Sequence, residues 1–367
     1  MKAVRRILFS LLLTLSWPAQ AQGPEISFNT QTTHIGNIPS DVGKEHVYYF
    51  FSPDGQTVAY KIYPPLDSQN MKAIVFGKTY SYLRIEDIVF DSNGKDFSFE
   101  VTDQGRKFKI RNGIEAQEAE VKNEIKYPGE KIDQSKDGNY ILSRDDKFVY
   151  VSDRNGVVRK QSEPDEVGDY PDLAFSPNGK IIAAMIFEEN KVYLKLNEKV
   201  GKKFKSGERV SGDLDWPPPE KPVFSPDSKH VAYWTKTEKD AFMIVDDHPK
   251  KKYYSVGDGL FSPDSAHFAY VANLNNDEGE VDLIMDERLF RKLEEQPYFL
   301  TFSPDSKHLA YEYKDSVWVD DKPGQPYDQV YEPRFSPDSK FIGYNAIKGN
   351  EVWWVVDPVP SSTAQKH

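Results

Sequence analysis

Short apolar runs alternate with polar turns along most of the chain, and one arrangement of them recurs. In residues 224 to 233, FSPDSKHVAY, an aromatic residue closes one run and Val231-Ala-Tyr opens the next. Between them Ser-Pro-Asp-Ser supplies a tight turn, with proline fixing φ and small polar residues completing it. Two apolar runs joined this way predict an antiparallel hairpin. A polar loop follows, then a third run ending in acid, such as Phe242-Met-Ile-Val-Asp-Asp247, Val281-Asp-Leu-Ile-Met-Asp286, Val317-Trp-Val-Asp-Asp321 and Val352-Trp-Trp-Val-Val-Asp357. A second turn and a fourth run, such as Lys252 to Val256, complete a four-stranded unit.

Near copies begin at Phe51, Phe175, Phe224, Phe261, Phe302 and Phe335, and eroded ones at Phe90 and Gln134. The eight starts are 33 to 49 residues apart, the period of a β-propeller blade. The predicted fold is therefore all-β: a single propeller of four-stranded antiparallel blades, eight by this count. Seven blades with an irregular insertion is the alternative, because the second and third copies lack the Phe-Ser-Pro-Asp core. One blade cannot bury both of its faces, so blades must stack and the ring must close. The last repeat supplies only three strands. The β-prone segment Glu25 to Ile35, broken afterwards by Gly36 and Pro39, is the predicted fourth.

The copies, with the consensus Phe-Ser-Pro-Asp-Gly/Ser-Lys-x-(Val/Leu/Ile)-Ala-Tyr, resemble the WD-like repeats of TolB-type β-propellers over essentially the whole chain after its leader. The resemblance implies the fold and says little of function. The Gly-His and Trp-Asp marks of true WD repeats are missing, and the sialidase Asp-box is not met.

Composition narrows the setting. Lys2, Arg5 and Arg6, the apolar run Ile7 to Trp17 and Ala19-Gln-Ala21 have the order of a secretory signal peptide, with cleavage expected after Ala21. The domain plan is then a leader over 1–21, a propeller over 22–358 and a tail over 359–367. An eleven-residue apolar run is too short to span a bilayer, so no membrane span is expected. There is no cysteine, hence no disulfide, thiolate site or thiol nucleophile. The formal charge of −11 becomes −14 without the leader's three cationic residues, which disfavours nucleic acid and anionic membrane as partners. A bacterial periplasmic or secreted location is expected.

Candidate chemistry is sparse. His230, His267 and His308 share one motif position, but equivalent positions lie around a ring too wide for them to converge on a metal, given about 10 Å between packed sheets. They are expected at the surface. Asp133 to Gly138 mimics half a calcium loop, yet its twelfth residue is Arg144 rather than a bidentate acid. No cofactor or metal site is expected, and no Gly-x-Ser-x-Gly, His-Glu-x-x-His or phosphate loop is present.

Acids three residues before the motif aromatic are the sharper feature: Asp87, Asp172, Asp258 and Glu332, where other repeats carry Tyr48, Lys221 and Phe299. There they would ring a channel mouth, with Tyr48, Tyr170, Trp216, Tyr298 and Phe299 as contact surface. The expected function is an exported, non-catalytic binding or scaffold module for a protein or peptide partner, a basic one included, or for a cell-envelope ligand. The alternative is a channel-centred hydrolase or lyase acting on carbohydrate or peptide.

Overall fold

The computed structural model describes residues 32–38, 47–52, 57–63, 70–91, 94–116, 127–134, 139–145, 148–153, 155–162, 173–188, 191–197, 199–205, 221–237, 239–275 and 280–360. The leader, the tail after Pro360, Asp172, Trp216 and most of both proline- and acid-rich loops around them lie outside these residues. Among the described residues every regular element is a strand, and none forms a helix long and apolar enough to cross a membrane.

The strands form eight separate antiparallel sheets arranged as a β-propeller, which settles the blade count at eight. Blade 1 is the meander Val47–Phe51, Val58–Ile62, Met71–Val75 and Lys78–Tyr82. Blades 2 to 7 follow in chain order. Blade 8 takes Gln329–Phe335, Phe341–Lys348 and Glu351–Pro358 from the end of the chain and Thr33–Asn37 from its start. The chain's two ends therefore close the ring, as the unpaired segment suggested, but the described closing strand lies further along than Glu25 to Ile35. Gly36 does not break it: the strand runs through Gly36 at a register shift. A Cβ there would meet the Tyr60 hydroxyl at 2.7 Å and Val58 Cγ1 at 3.1 Å, so glycine is what lets the strand reach blade 1.

Both faces of each blade are apolar because both are covered, and separate clusters fill the seams. Blades 1 and 2 share Ala59, Ala73, Phe97 and Phe99; blades 5 and 6 share Trp234, Met243, Phe268 and Tyr270. The motif tyrosines Tyr233, Tyr270, Tyr311 and Tyr344 are almost wholly buried. Burial pushes the Tyr311 phenol up to about 12, and its hydroxyl donates to the Asp320 carbonyl at 2.9 Å.

The first–second and third–fourth turns share one end of the ring, the hairpin face; second–third loops and blade connections share the other, the loop face. On the hairpin face the motif serine does more than turn the chain. Ser225 Oγ accepts the His230 amide at 2.9 Å and donates to Asp227 at 2.6 Å, and Ser262, Ser303 and Ser336 repeat this. These serine bonds are the leading reason that the Asp227, Asp264 and Asp338 carboxyls sit below the usual carboxylate range, Asp338 at about 2. What they stabilise is present above the ordinary carboxylate pKa and is lost as pH falls through the lowered values.

Glycine and serine are not equivalent at the fifth motif position, although either completes the turn. Ser228, Ser265, Ser306 and Ser339 hold left-handed φ values of 61° to 64°. Each hydroxyl accepts an amide from the preceding blade: Asn178 onto Ser228 at 3.1 Å, Asp227 onto Ser265 at 3.1 Å, Asp264 onto Ser306 and Asp305 onto Ser339 at 3.0 Å. Four consecutive seams, from blade 4 to blade 8, are latched this way. Blades 1 to 4 carry Gly55, Gly94, Gly138 and Gly179, which have no hydroxyl to offer. Ser265→Ala keeps the strained φ and removes the acceptor, and is expected to cost about 1 kcal/mol in chemical denaturation. An unchanged midpoint would show the latch to be energetically idle.

Candidate functional site at the channel mouth

The position three residues before the motif aromatic is where the inner strand leaves its ladder. Pairing skips from Gly257 to Leu260 in blade 6, from Tyr298 to Thr301 in blade 7 and from Tyr331 to Arg334 in blade 8. In blade 2 it skips from Ile85 to Val89. Asp87, Asp258, Phe299 and Glu332 therefore occupy one recurring β-bulge, a device that turns a side chain out of the sheet and is common beside binding sites. Phe299 and Glu332 adopt left-handed φ values of 52° and 45°, which costs a non-glycine residue on the order of 1 kcal/mol. Tyr48 differs: the inner strand of blade 1 is unbroken and Tyr48 stays paired with Lys61.

Side-chain geometry is clearest where blades 8, 1 and 2 meet. The Lys61 side chain is only 6% exposed, and its Nζ lies 2.5 Å from Asp87 Oδ1. The same ammonium sits 5.5 Å from the Tyr48 ring centroid, 5.4 Å from Phe50 and 5.7 Å from Tyr63. Three aromatic walls and one carboxylate thus stabilise a charge that burial alone would penalise. Asp87 remains half-exposed, Tyr63 is 39% exposed, and the two tyrosine rings lie 5.0 Å apart. On the other side Glu332 pairs with Arg334, whose guanidinium also donates to the Ser52 carbonyl of blade 1 at 3.1 Å.

The two acids whose side chains are described therefore each hold a cation, so where blades 8, 1 and 2 meet the bulge position carries two oriented ion pairs, one of them walled by aromatic faces. The structure brings Tyr48 and Asp87 to one cluster around Lys61, and places Glu332 one blade away and Phe299 on blade 7. Asp172, Tyr170 and Trp216 lie outside the described residues. Lys61, Arg334 and Tyr63 were missed by sequence reasoning. Lys61 had a signal: a lysine inside the apolar run Val58-Ala-Tyr-Lys-Ile62 must be buried with a partner.

The motif histidines are not simple surface residues. Nδ1 of His230, His267 and His308 lies 2.6, 2.7 and 2.8 Å from an oxygen of Asp246, Asp286 and Asp320. The other oxygen of each acid accepts the amide of Val231, Phe268 or Leu309. His308 is buried, contrary to expectation. The acid that ends each third strand thus locks its turn onto the neighbouring hairpin. Among the described residues no group of three or more acids and histidines is arranged to hold a metal.

No protein-family model matches the chain, and no curated protein matches it. Among solved structures it is similar to one titled "Crystal structure of the eukaryotic initiation factor", at 14% identity and a TM-score of 0.44 over 88% of this chain and 90% of that one. It is also similar to one titled "Structure of Dos1 propeller", at 10% identity and 0.40 over 88% and 93%. A third, hydrazine synthase of Kuenenia stuttgartiensis, aligns at 14% identity and 0.37 over 89% and 99%.

Proposed function

We propose that this chain is an exported, non-catalytic binding propeller of the TolB-like kind, working in the periplasm or outside the cell. Its partner is a protein or peptide held at the loop-face mouth of the channel. The observation that carries this reading is the recurring inner-strand bulge: one backbone device in four blades carries different residues, Asp87, Asp258, Phe299 and Glu332, and Phe299 and Glu332 hold it in strained conformations. Packing alone gives no reason to vary that residue while keeping the bulge, whereas recognition does. The exposed rings of Tyr63 and Tyr298 add aromatic anchors of the type that dominates protein interfaces. Oriented pairs such as Lys61–Asp87 and Arg334–Glu332 add polarity that steers a charged partner, basic groups toward the half-exposed carboxylates.

The test begins with the processed chain, recovered from the periplasmic or medium fraction with Gln22 as its first residue. Immobilised, it should retain a stoichiometric envelope protein or peptide. Tyr63→Ala and Tyr298→Ala together should weaken that complex by at least about tenfold, since each exposed anchor is worth roughly 1 kcal/mol or more. Equal binding by the double variant, or a leader retained in the mature protein, would overturn the reading. Turnover of a peptide or glycan by the wild-type chain would favour the hydrolase or lyase reading instead.

A further inference from the structure

The seam between blades 5 and 6 has a second feature, on the hairpin face and so at the opposite end of the ring from the channel mouth just described. A recess of about 290 Å³ opens there between the two hairpins, with His230, Lys250, Phe261, Ala266, His267 and Glu287 among its lining residues. Its position coincides with a departure from the repeat. The sixth motif residue is lysine in blades 2, 4, 5, 7 and 8 (Lys95, Lys180, Lys229, Lys307 and Lys340), but Ala266 in blade 6. Lys229, Lys307 and Lys340 each fold back onto the aspartate of their own turn at 3.0 to 3.4 Å. Blade 6 has no such side chain, and this is where the recess opens.

The polar groups around the recess are already oriented. His230 and His267 spend Nδ1 on Asp246 and Asp286, so the remaining polar atom of each ring is Nε2. Each of these carboxylates also accepts a backbone amide on its other oxygen. Lys250, with a side chain only 16% exposed, reaches across the seam to Glu287 at 2.5 Å, leaving that carboxylate's second oxygen and the other ammonium protons available. The walls between these groups are apolar: Phe261, stacked on His230 with centroids 6.3 Å apart, together with Ala266 and Val245. The neighbouring seam lacks the same exposed imidazole, because His308 is buried.

We infer that this recess is a binding site for a neutral polyhydroxylated ligand, a sugar ring of about one or two residues. Imidazole Nε2 atoms and a carboxylate oxygen accept hydroxyl protons, an ammonium donates to a ring or hydroxyl oxygen, and the apolar Phe261 wall meets the C–H face of the ring. A fully charged ligand fits less well. A bare anion would face Glu287 and Asp286, and a bare cation would face the Lys250 ammonium. Convergent polar groups on an apolar wall are the usual composition of a small-molecule site.

The experiment titrates the full mature chain with glucose, galactose, N-acetylglucosamine and their disaccharides, and with choline and inorganic phosphate as charged probes, read by ligand-observed NMR and calorimetry. At least one sugar should bind with a millimolar or better dissociation constant. Ala266→Lys should abolish that binding by refilling the recess while leaving thermal unfolding unchanged, because blades 5 and 7 carry lysine at this place in the same turn. His267→Gln should weaken binding at least about fivefold. Failure of every sugar, retention of binding by Ala266→Lys, or binding of choline or phosphate alone would overturn the proposal. None of these outcomes bears on the channel-mouth reading, which rests on residues at the other face.

Discussion

Deleting residues 33–38 will open the ring. The strand Thr33–Asn37 is the outer strand of blade 8, paired with Glu351 to Trp354, and its flanking Ile38 is 3% exposed in the cluster shared by blades 8 and 1. Ile35 packs against the same cluster. Losing those two side chains alone removes burial worth about 3–5 kcal/mol. The deletion also exposes the edge of Glu351–Pro358, whose free amides and carbonyls become a template for pairing with a second molecule. We expect a lower denaturation midpoint together with concentration-dependent oligomers on size-exclusion chromatography. A monomer with the wild-type midpoint would show that the ring holds without this strand. Gly36→Val is the gentler form of the same test, since the clash with Tyr60 and Val58 disturbs the closure while every other contact stays available.

Trp354→Ala should be the most damaging single truncation. Trp354 is 2% exposed, the largest of the fully buried side chains, and stands on the strand that pairs with the N-terminal segment. By alternation it shares a face with Val352, which lies in the cluster between blades 8 and 1, whereas Trp353 points the other way, packs against the cluster of blades 7 and 8 and touches His34. Removing a fully buried indole costs about 3–5 kcal/mol, the lost transfer energy plus the cavity left in a seam that cannot collapse. Trp353→Ala, at a half-buried site, should cost clearly less. Equal midpoint shifts for the two variants would show that the closing seam is no more tightly packed than its neighbour.

Blade number and closure were legible in the chain because both follow from counting strands. Apolar runs separated by a proline-fixed turn must pair, four per period make a blade, and an open edge at each end must find the other. Gly36 was misjudged for a reason no sequence pattern carries. A glycine in a β-prone segment reads as a break, and only the approach of Tyr60 from another blade shows that it is what allows the strand to continue.

The motif itself was legible as a hairpin but not as a set of joints between blades. Ser228, Ser265, Ser306 and Ser339 looked interchangeable with glycine, since both complete the turn. Their hydroxyls matter only because the preceding blade lies about one sheet spacing away and presents an amide. Likewise the acids ending the third strands read as turn residues, and the histidines as surface ones, until the two turns were placed side by side.

The channel mouth shows the same division. Counting back three residues from each aromatic reaches Asp87 and Glu332, and these stand at a bulge that recurs at one register. It could not find that Lys61 and Arg334 answer them: Lys61 stands in the neighbouring blade, and Arg334, two residues along the same strand as Glu332, reaches it only because the bulge turns the strand between them. The sequence by itself determined the repeat, the strands, the turns and the need to close. Only the tertiary structure decided that Lys61 meets Asp87, which serines latch and where a recess opens, because each of these depends on two blades brought together across tens of residues, a distance over which local pattern carries no information.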